Sequence, residues 1–255
     1  MSAPLSILDY RQPVDFRMGD VIVRSWTILS RHFLTFAVLV GVAQLLPLVL
    51  SLYLLQSLGS AKRFDPSITA LVASGGIGVI QFILSNFAQA IVIFAAFQDL
   101  RGRPVNAAES LQQGLARVFP AILAAILTVL LVVVGAMLCL VPGLVAWAAM
   151  SVVLPACVVE RMGPIESMSR SADLTSGHRW PIALVALVWL IIAIVVAAMI
   201  RAIVPDASLM AAQILSWVWQ VVAGSFTAVY TAILYHDLRA VREGIGIDEI
   251  ASVFD

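Results

Sequence analysis

Apolar residues fill the chain in blocks of membrane length, and charge returns only in the short stretches between them. A bilayer core about 30 Å thick takes roughly 20 apolar residues as helix. Met18 to Arg31 sets Val21, Ile22, Trp26, Ile28 and Leu29 among Asp20, Arg24, Ser25 and Arg31, the pattern of a helix lying in the interface. It leads as an elbow into a first span, Phe33 to Leu55, with Gln44 and Pro47 at mid-depth. After the loop Gln56 to Pro66, which carries Lys62, Arg63 and Asp65, a second span runs from Ser67 to Gln98. That block is longer than a bilayer requires, so it tilts or projects a turn.

Asp99 to Val118 predicts a second elbow, in which Asn106 caps a short helix, Glu109 stands at its third position, and Leu111, Leu115 and Val118 share one side. Phe119 to Leu140 then spans, Val141-Pro142-Gly143 turns, and Leu144 to Val159 returns as a short helix containing Pro155. Sixteen residues reach only about 24 Å at 1.5 Å each, so neighbours are expected to shield this helix. Glu160 to Arg179 reads as a third elbow with Ile165, Met168 and Leu174 as its apolar residues. Trp180 to Ile200 spans, Arg201 to Ala207 turns, Ser208 to Tyr235 returns, and the tail from His236 is left as short helix or coil. The fold class is therefore all-α: a polytopic membrane bundle of six transmembrane helices with amphipathic elbow helices, forming a single integral membrane domain over residues 1–255.

An internal plan is visible on top of this. Elbow, aromatic start, span, tight turn, return span and acidic exit recur in units of about 16–101, 104–161 and 163–239, followed by a polar tail over 240–255. The second and sixth spans leave through Asp99-Leu100-Arg101 and Asp237-Leu238-Arg239, and the fourth through Glu160-Arg161. All three units start from the same side, so they are expected to be parallel repeats about an axis along the membrane normal.

Composition agrees: 62% of the residues are hydrophobic, 12% are charged, and the mean hydropathy is +1.02. No soluble catalytic domain fits beside six spans, and a net charge of zero gives no reason to expect nucleic acid. The fourteen Arg and single Lys are distributed unevenly: twelve Arg fall in the N-terminal segment, the 99–118 and 160–179 stretches and the tail, against Lys62, Arg63 and Arg201 on the other side. The positive-inside rule then expects both termini in the cytoplasm of a bacterial inner membrane. The N-terminal segment lacks the pattern of a secretory signal. Cys139 and Cys157 are expected near opposite membrane faces, too far apart for a disulfide.

Two polar stripes carry the candidate chemistry. In the second span Ser74, Gly78, Gln81, Ser85 and Gln89 fall within an arc of about 80°, with Asn86 just beyond, and in the sixth Gln213, Ser216, Gln220, Gly224, Thr227 and Thr231 occupy a similar arc. One reading is helix packing through interhelical hydrogen bonds and small residues. The other is a groove for a lipid headgroup or a small neutral or zwitterionic solute, since the stripes carry no charge. The exits Asp99, Arg101, Glu160, Arg161, Asp237 and Arg239 likewise have two readings. The acids orient neighbouring arginines such as Arg101, Arg103 and Arg239 at anionic headgroups, or the three exits together form a cytoplasmic docking ring. His32, His178 and His236 lie at the same border without metal-ligand spacing, and no Gly-x-Ser-x-Gly, His-Glu-x-x-His or phosphate-cradling loop occurs. The expectation is no cofactor, no metal and no catalysis. The expected partners are membrane lipids, and another membrane protein or a second copy of the chain.

At Leu140-Val-Pro-Gly143, Leu154-Pro-Ala156, Val158-Val-Glu160, Gly163 to Ser171, Leu234 to Arg239 and Glu243-Gly244, the chain resembles the multispan membrane domain associated with glycerophosphoryl diester phosphodiesterases and its free-standing bacterial relatives. The resemblance runs from about Phe16 to Gly244. The catalytic barrel of those enzymes is missing here, so hydrolysis is not implied. What the resemblance implies is a helical membrane domain with a bias towards phospholipid contact. In the family pattern an aromatic often stands where His236 is, and a second arginine stands where this chain has Val241, with Arg242 one place later.

Overall fold

The computed structural model describes residues 17–60, 66–100, 107–204 and 209–243. The loop charges Lys62, Arg63 and Asp65, the exit residues Arg101 and Arg103, the cap Asn106, the side chain of Glu109 and most of the tail lie outside the described residues. Eight helices follow in order: α1 Met18–Ser60, α2 Pro66–Leu100, α3 Ala107–Leu138, α4 Leu140–Ala149, α5 Val153–Val159, α6 Pro164–Leu174, α7 Arg179–Ile203 and α8 Leu209–Glu243. Six segments are long and apolar enough to cross a membrane, so the all-α polytopic bundle stands.

The first elbow joins its span inside α1, where His32 leaves helical geometry at φ −115°, ψ 22°. Val21, Ser25, Ile28 and Leu29 turn into the core, while Val23 and Trp26 face outward. The second elbow is not a separate element: α3 runs from Ala107 to Leu138 with Pro120 inside it. A proline near the start of a long apolar run does not break the helix here, a tolerance that membrane helices allow.

Val141-Pro142-Gly143 does not form the turn between the third and fourth spans. The chain reverses at Cys139, extended at φ −170°, and those three residues make the first turn of α4, where proline and its missing N–H are tolerated. The reversal is this tight because backbones touch: a Cβ on Gly143 would lie 2.7 Å from the Cα of Ala136. The returning span is also broken in two, since helical bonding stops at Met150 and resumes at Val153.

On α6 the buried face is Ser167, Ser171 and Leu174, whereas Ile165 is 76% exposed. Glycine begins the helix, Pro164 occupies its first turn, and the Glu166 carboxylate accepts from the Gly163 N–H at 3.1 Å. Small hydroxyls face inward because α6 lies directly on the α4–α5 break, as described below. At the far end of the chain the sixth span does not stop at Tyr235. It continues as helix to Glu243, carrying Asp237 and Arg239 within it, and α7 likewise extends to Ile203.

Packing is unequal among the three expected hairpins. α8 lies along α1 and α2, α2 also packs on α3, and α3 holds α4, α5 and α6. By contrast α7 leans chiefly on α4 and meets α8 at few points, among them Trp189 against Phe226 at 5.0 Å and Trp219 at 6.1 Å between ring centroids. The core gathers at the end of the bundle that bears the elbows. There the last third of α2, Ala88 to Gln98, and Ala228 to Leu238 of α8 are largely buried. The many alanines in both runs allow several helices to approach at once.

Candidate functional site

An amide cluster forms at the junction of α1, α2 and α8. The Gln81 Nε2 donates to Gln44 Oε1 at 3.0 Å and also to Gln220 Oε1. The stripes on the second and sixth spans therefore do face each other at Gln81 and Gln220, with Gln44 of the first span as the third member. A primary amide has two donor hydrogens and an acceptor, and Gln81 gives its hydrogens to the oxygens of the other two amides, bonds that hydrocarbon could not offer. The remaining stripe residues divide. Ser85 and Asn86 both bond the Phe82 carbonyl of their own helix, at 3.0 and 2.8 Å, and Thr227 bonds Ala223 at 2.8 Å. Gln89 is half-buried one turn below. Gln213 lies two turns from Gln220 and does not join the α1–α2–α8 junction. It lines a cavity of about 460 Å³ with Arg201 and Ser216, against Leu55, Ile200 and Leu209.

The exits do converge, at Glu160, which the spacing singled out, through Tyr235 and Phe97, which it did not. Tyr235, fully buried, meets Phe97 edge-on at 5.8 Å between centroids and donates its hydroxyl to Glu160 Oε1. One side chain from each of the three exits thus meets at one point. Among the described residues, Glu160 and Asp237 pair with arginines other than those of their own exits. Asp237 lies 3.1 Å from the Arg24 guanidinium of the first elbow and from His236 Nδ1, while Asp99 lies 2.9 Å from His32 Nε2. Arg239 bonds Glu243 at 2.7 Å instead. The reason is helical geometry: residues two apart, such as Asp237 and Arg239, point to opposite sides, whereas residues four apart are neighbours.

Glu160 is the most enclosed of these acids, its side chain 10% exposed, and Arg170 of α6 grips it with Nε at 3.0 Å and Nη2 at 3.1 Å while also reaching Glu243. Partial burial works against the charge on Arg170, but the hydrogen bonds to Glu160 and Glu243 outweigh it and raise its pKa above the ordinary arginine value. Arg161 sits at φ 57°, the left-handed region a non-glycine residue enters at a cost, and its carbonyl accepts from Arg117 at 3.4 Å. Ser110 of α3 donates to Gln98 at 3.3 Å, joining the second elbow region to the first exit. Each exit is consequently latched to an elbow.

A third feature had no signal in the stripes. Where α4 breaks from α5, the Ser171 hydroxyl donates to the Ala149 carbonyl at 2.7 Å and accepts from the Val152 N–H at 3.3 Å, and Thr175 adds a contact to Ala149 at 3.4 Å. The backbone groups freed by the break are answered by α6. Among the described residues no group of three or more His, Cys, Asp or Glu side chains is placed to hold a metal. Cys139 and Cys157 are both free thiols.

Residues 68–238, about two thirds of the chain, match the family described as Domain of unknown function (DUF7847). The chain belongs to that family. The match takes in most of the second span, the α4–α5 break, α6 and the exit-cluster residues Phe97, Asp99, Glu160, Arg170, Tyr235 and Asp237, but leaves out Arg239 and Glu243 and all of α1, which supplies Gln44, Arg24 and His32. No curated protein and no solved structure matches the chain.

Proposed function

We propose that the protein is a non-catalytic component of the bacterial inner membrane, with both termini in the cytoplasm, that acts as an accessory or scaffolding protein. Its elbows contact phospholipid in the cytoplasmic leaflet, and its partner is another membrane protein or a second copy of the chain. The observation that carries this reading is the amide cluster: the membrane-embedded polar groups of α1, α2 and α8 bond one another and lock helices together. The rival function, a path for a lipid or small solute between the second and sixth spans, needs those amides turned towards a lumen. The latched exits add support, because salt-bridged elbows give the bundle one stiff face with Trp26, Ile165 and Trp180 turned outward.

The test is photo-crosslinking in native membranes with a photoreactive residue at position 165 or 26. A discrete protein adduct, a companion or a dimer, is expected at both positions. Adducts to lipid alone would sink the scaffolding role, and transbilayer lipid movement in reconstituted vesicles would establish the rival.

A further inference from the structure

The cavity at the opposite end of the bundle from the elbows has a composition of its own. It opens between the end of α7 and the start of α8, with Leu55 of α1 behind. Its origin is local: Ala197 and Ala212 face the gap with small side chains, and above the Trp189–Phe226 contact the two helices share little packing. At about 460 Å³ it is within the range of small-molecule sites, roughly 300–1,000 Å³. Leu55, Ile200 and Leu209 make apolar walls, and Arg201, Gln213 and Ser216 provide the polar groups.

The charge in this lining is one-sided. Among the described residues that line it, Arg201 is the only ionisable one and none is acidic, and Arg201 makes no ion pair among the described residues. It stands in the last turn of α7, at a span end where a headgroup lies. A guanidinium offers a planar fork suited to phosphate oxygens. Beside it, Gln213 and Ser216 can donate to a phosphate or accept from a hydroxyl.

We propose that this cavity is a binding site for one membrane glycerophospholipid of net negative charge, in the leaflet at that end. Its phosphodiester sits on Arg201, its polar headgroup on Gln213 and Ser216, and its first acyl methylenes on Leu55, Ile200 and Leu209. A zwitterionic headgroup is less favoured, because the described lining residues include no carboxylate to meet its ammonium. This site is separate from the elbow face, so it stands or falls independently of the scaffolding role.

The experiment is native mass spectrometry of the full chain released from nanodiscs of equal phosphatidylglycerol and phosphatidylethanolamine. One phosphatidylglycerol retained per chain is expected, with retention falling roughly tenfold in Arg201→Gln and kept in large part by Arg201→Lys. Ala212→Leu fills the gap without touching the charge and is expected to expel the lipid as well. Equal retention in wild type and Arg201→Gln, or no preference for phosphatidylglycerol, overturns the proposal. If Arg201→Gln does not fold, Ala212→Leu decides: loss of lipid supports the site, and undiminished retention overturns it. Competition by millimolar inorganic phosphate, with no lipid retained, would reassign the cavity to a free anion.

Discussion

The two halves of α2 are both apolar helix, yet they sit in different surroundings. From Ala88 to Gln98 the helix is enclosed by α1, α3, α5 and α8, and Ala90, Val92, Ile93, Ala95 and Ala96 are buried. Near its start Leu71, Val72 and Val79 are exposed, and a Cβ added at Gly75, Gly76 or Gly78 meets nothing within 4 Å. Hydrophobicity cannot produce that contrast, because in a bilayer apolar side chains are equally at home facing lipid or protein. What differs is polar chemistry. The enclosed half ends among hydrogen bonds and ion pairs that fasten five helices together, whereas in the open half Ser74 bonds only the Leu71 carbonyl of its own helix and the amide cluster lies at its border.

The contrast can be broken most severely at Glu160. Glu160→Ala removes the acceptor for both Arg170 and Tyr235, and a loss of about 3 kcal/mol is expected, read as a lowered melting midpoint in detergent together with new protease sensitivity around α6. Ser171→Ala leaves the Val152 N–H unanswered and the Ala149 carbonyl with only the long Thr175 contact. The expected cost is about 2 kcal/mol by the same measurement. At the border between the halves, Gln81→Leu with Gln220→Leu strands the buried Gln44 amide and is expected to cost about 1 kcal/mol. An unchanged midpoint there would remove the packing role of the stripes. In the open half the sign reverses: Gly76→Ala has space for its methyl and gains helix propensity, so stability should rise by about 0.5–1 kcal/mol. A loss instead would mean that this half is packed against something in the membrane.

Much of the candidate site was readable at the level of helix faces. The 100° periodicity that gathered Gln81 and Gln220 onto narrow arcs predicted two surfaces needing polar partners, and the structure makes them partners of each other. Gln213 lies on the same arc but two turns away, where it lines the cavity with residues of α1 and α7, a placement periodicity alone does not give. The exits were legible as landmarks, but the partners of Glu160 and Asp237 were not. Asp237 and Arg239 are adjacent in sequence and opposed on a helix, and Arg24, the true partner of Asp237, is separated from it by almost the whole chain. The break between α4 and α5 had no sequence signal of its own. Pro155 lies beyond it, and its stability depends on hydroxyls supplied from α6.

The sequence by itself determined the spanning segments, the elbow before the first span, the helical class and the faces on which polar groups had to be answered. Those follow from local quantities: hydropathy over a bilayer's length, and the angle between successive side chains. Only the tertiary structure decided which helices answer one another, that α7 stands apart from α8 and leaves a cavity at Arg201, and that each acidic exit is held by an elbow. These depend on how apolar surfaces of equal affinity for lipid and protein are sorted, and in this bundle a few directional hydrogen bonds and ion pairs do that sorting.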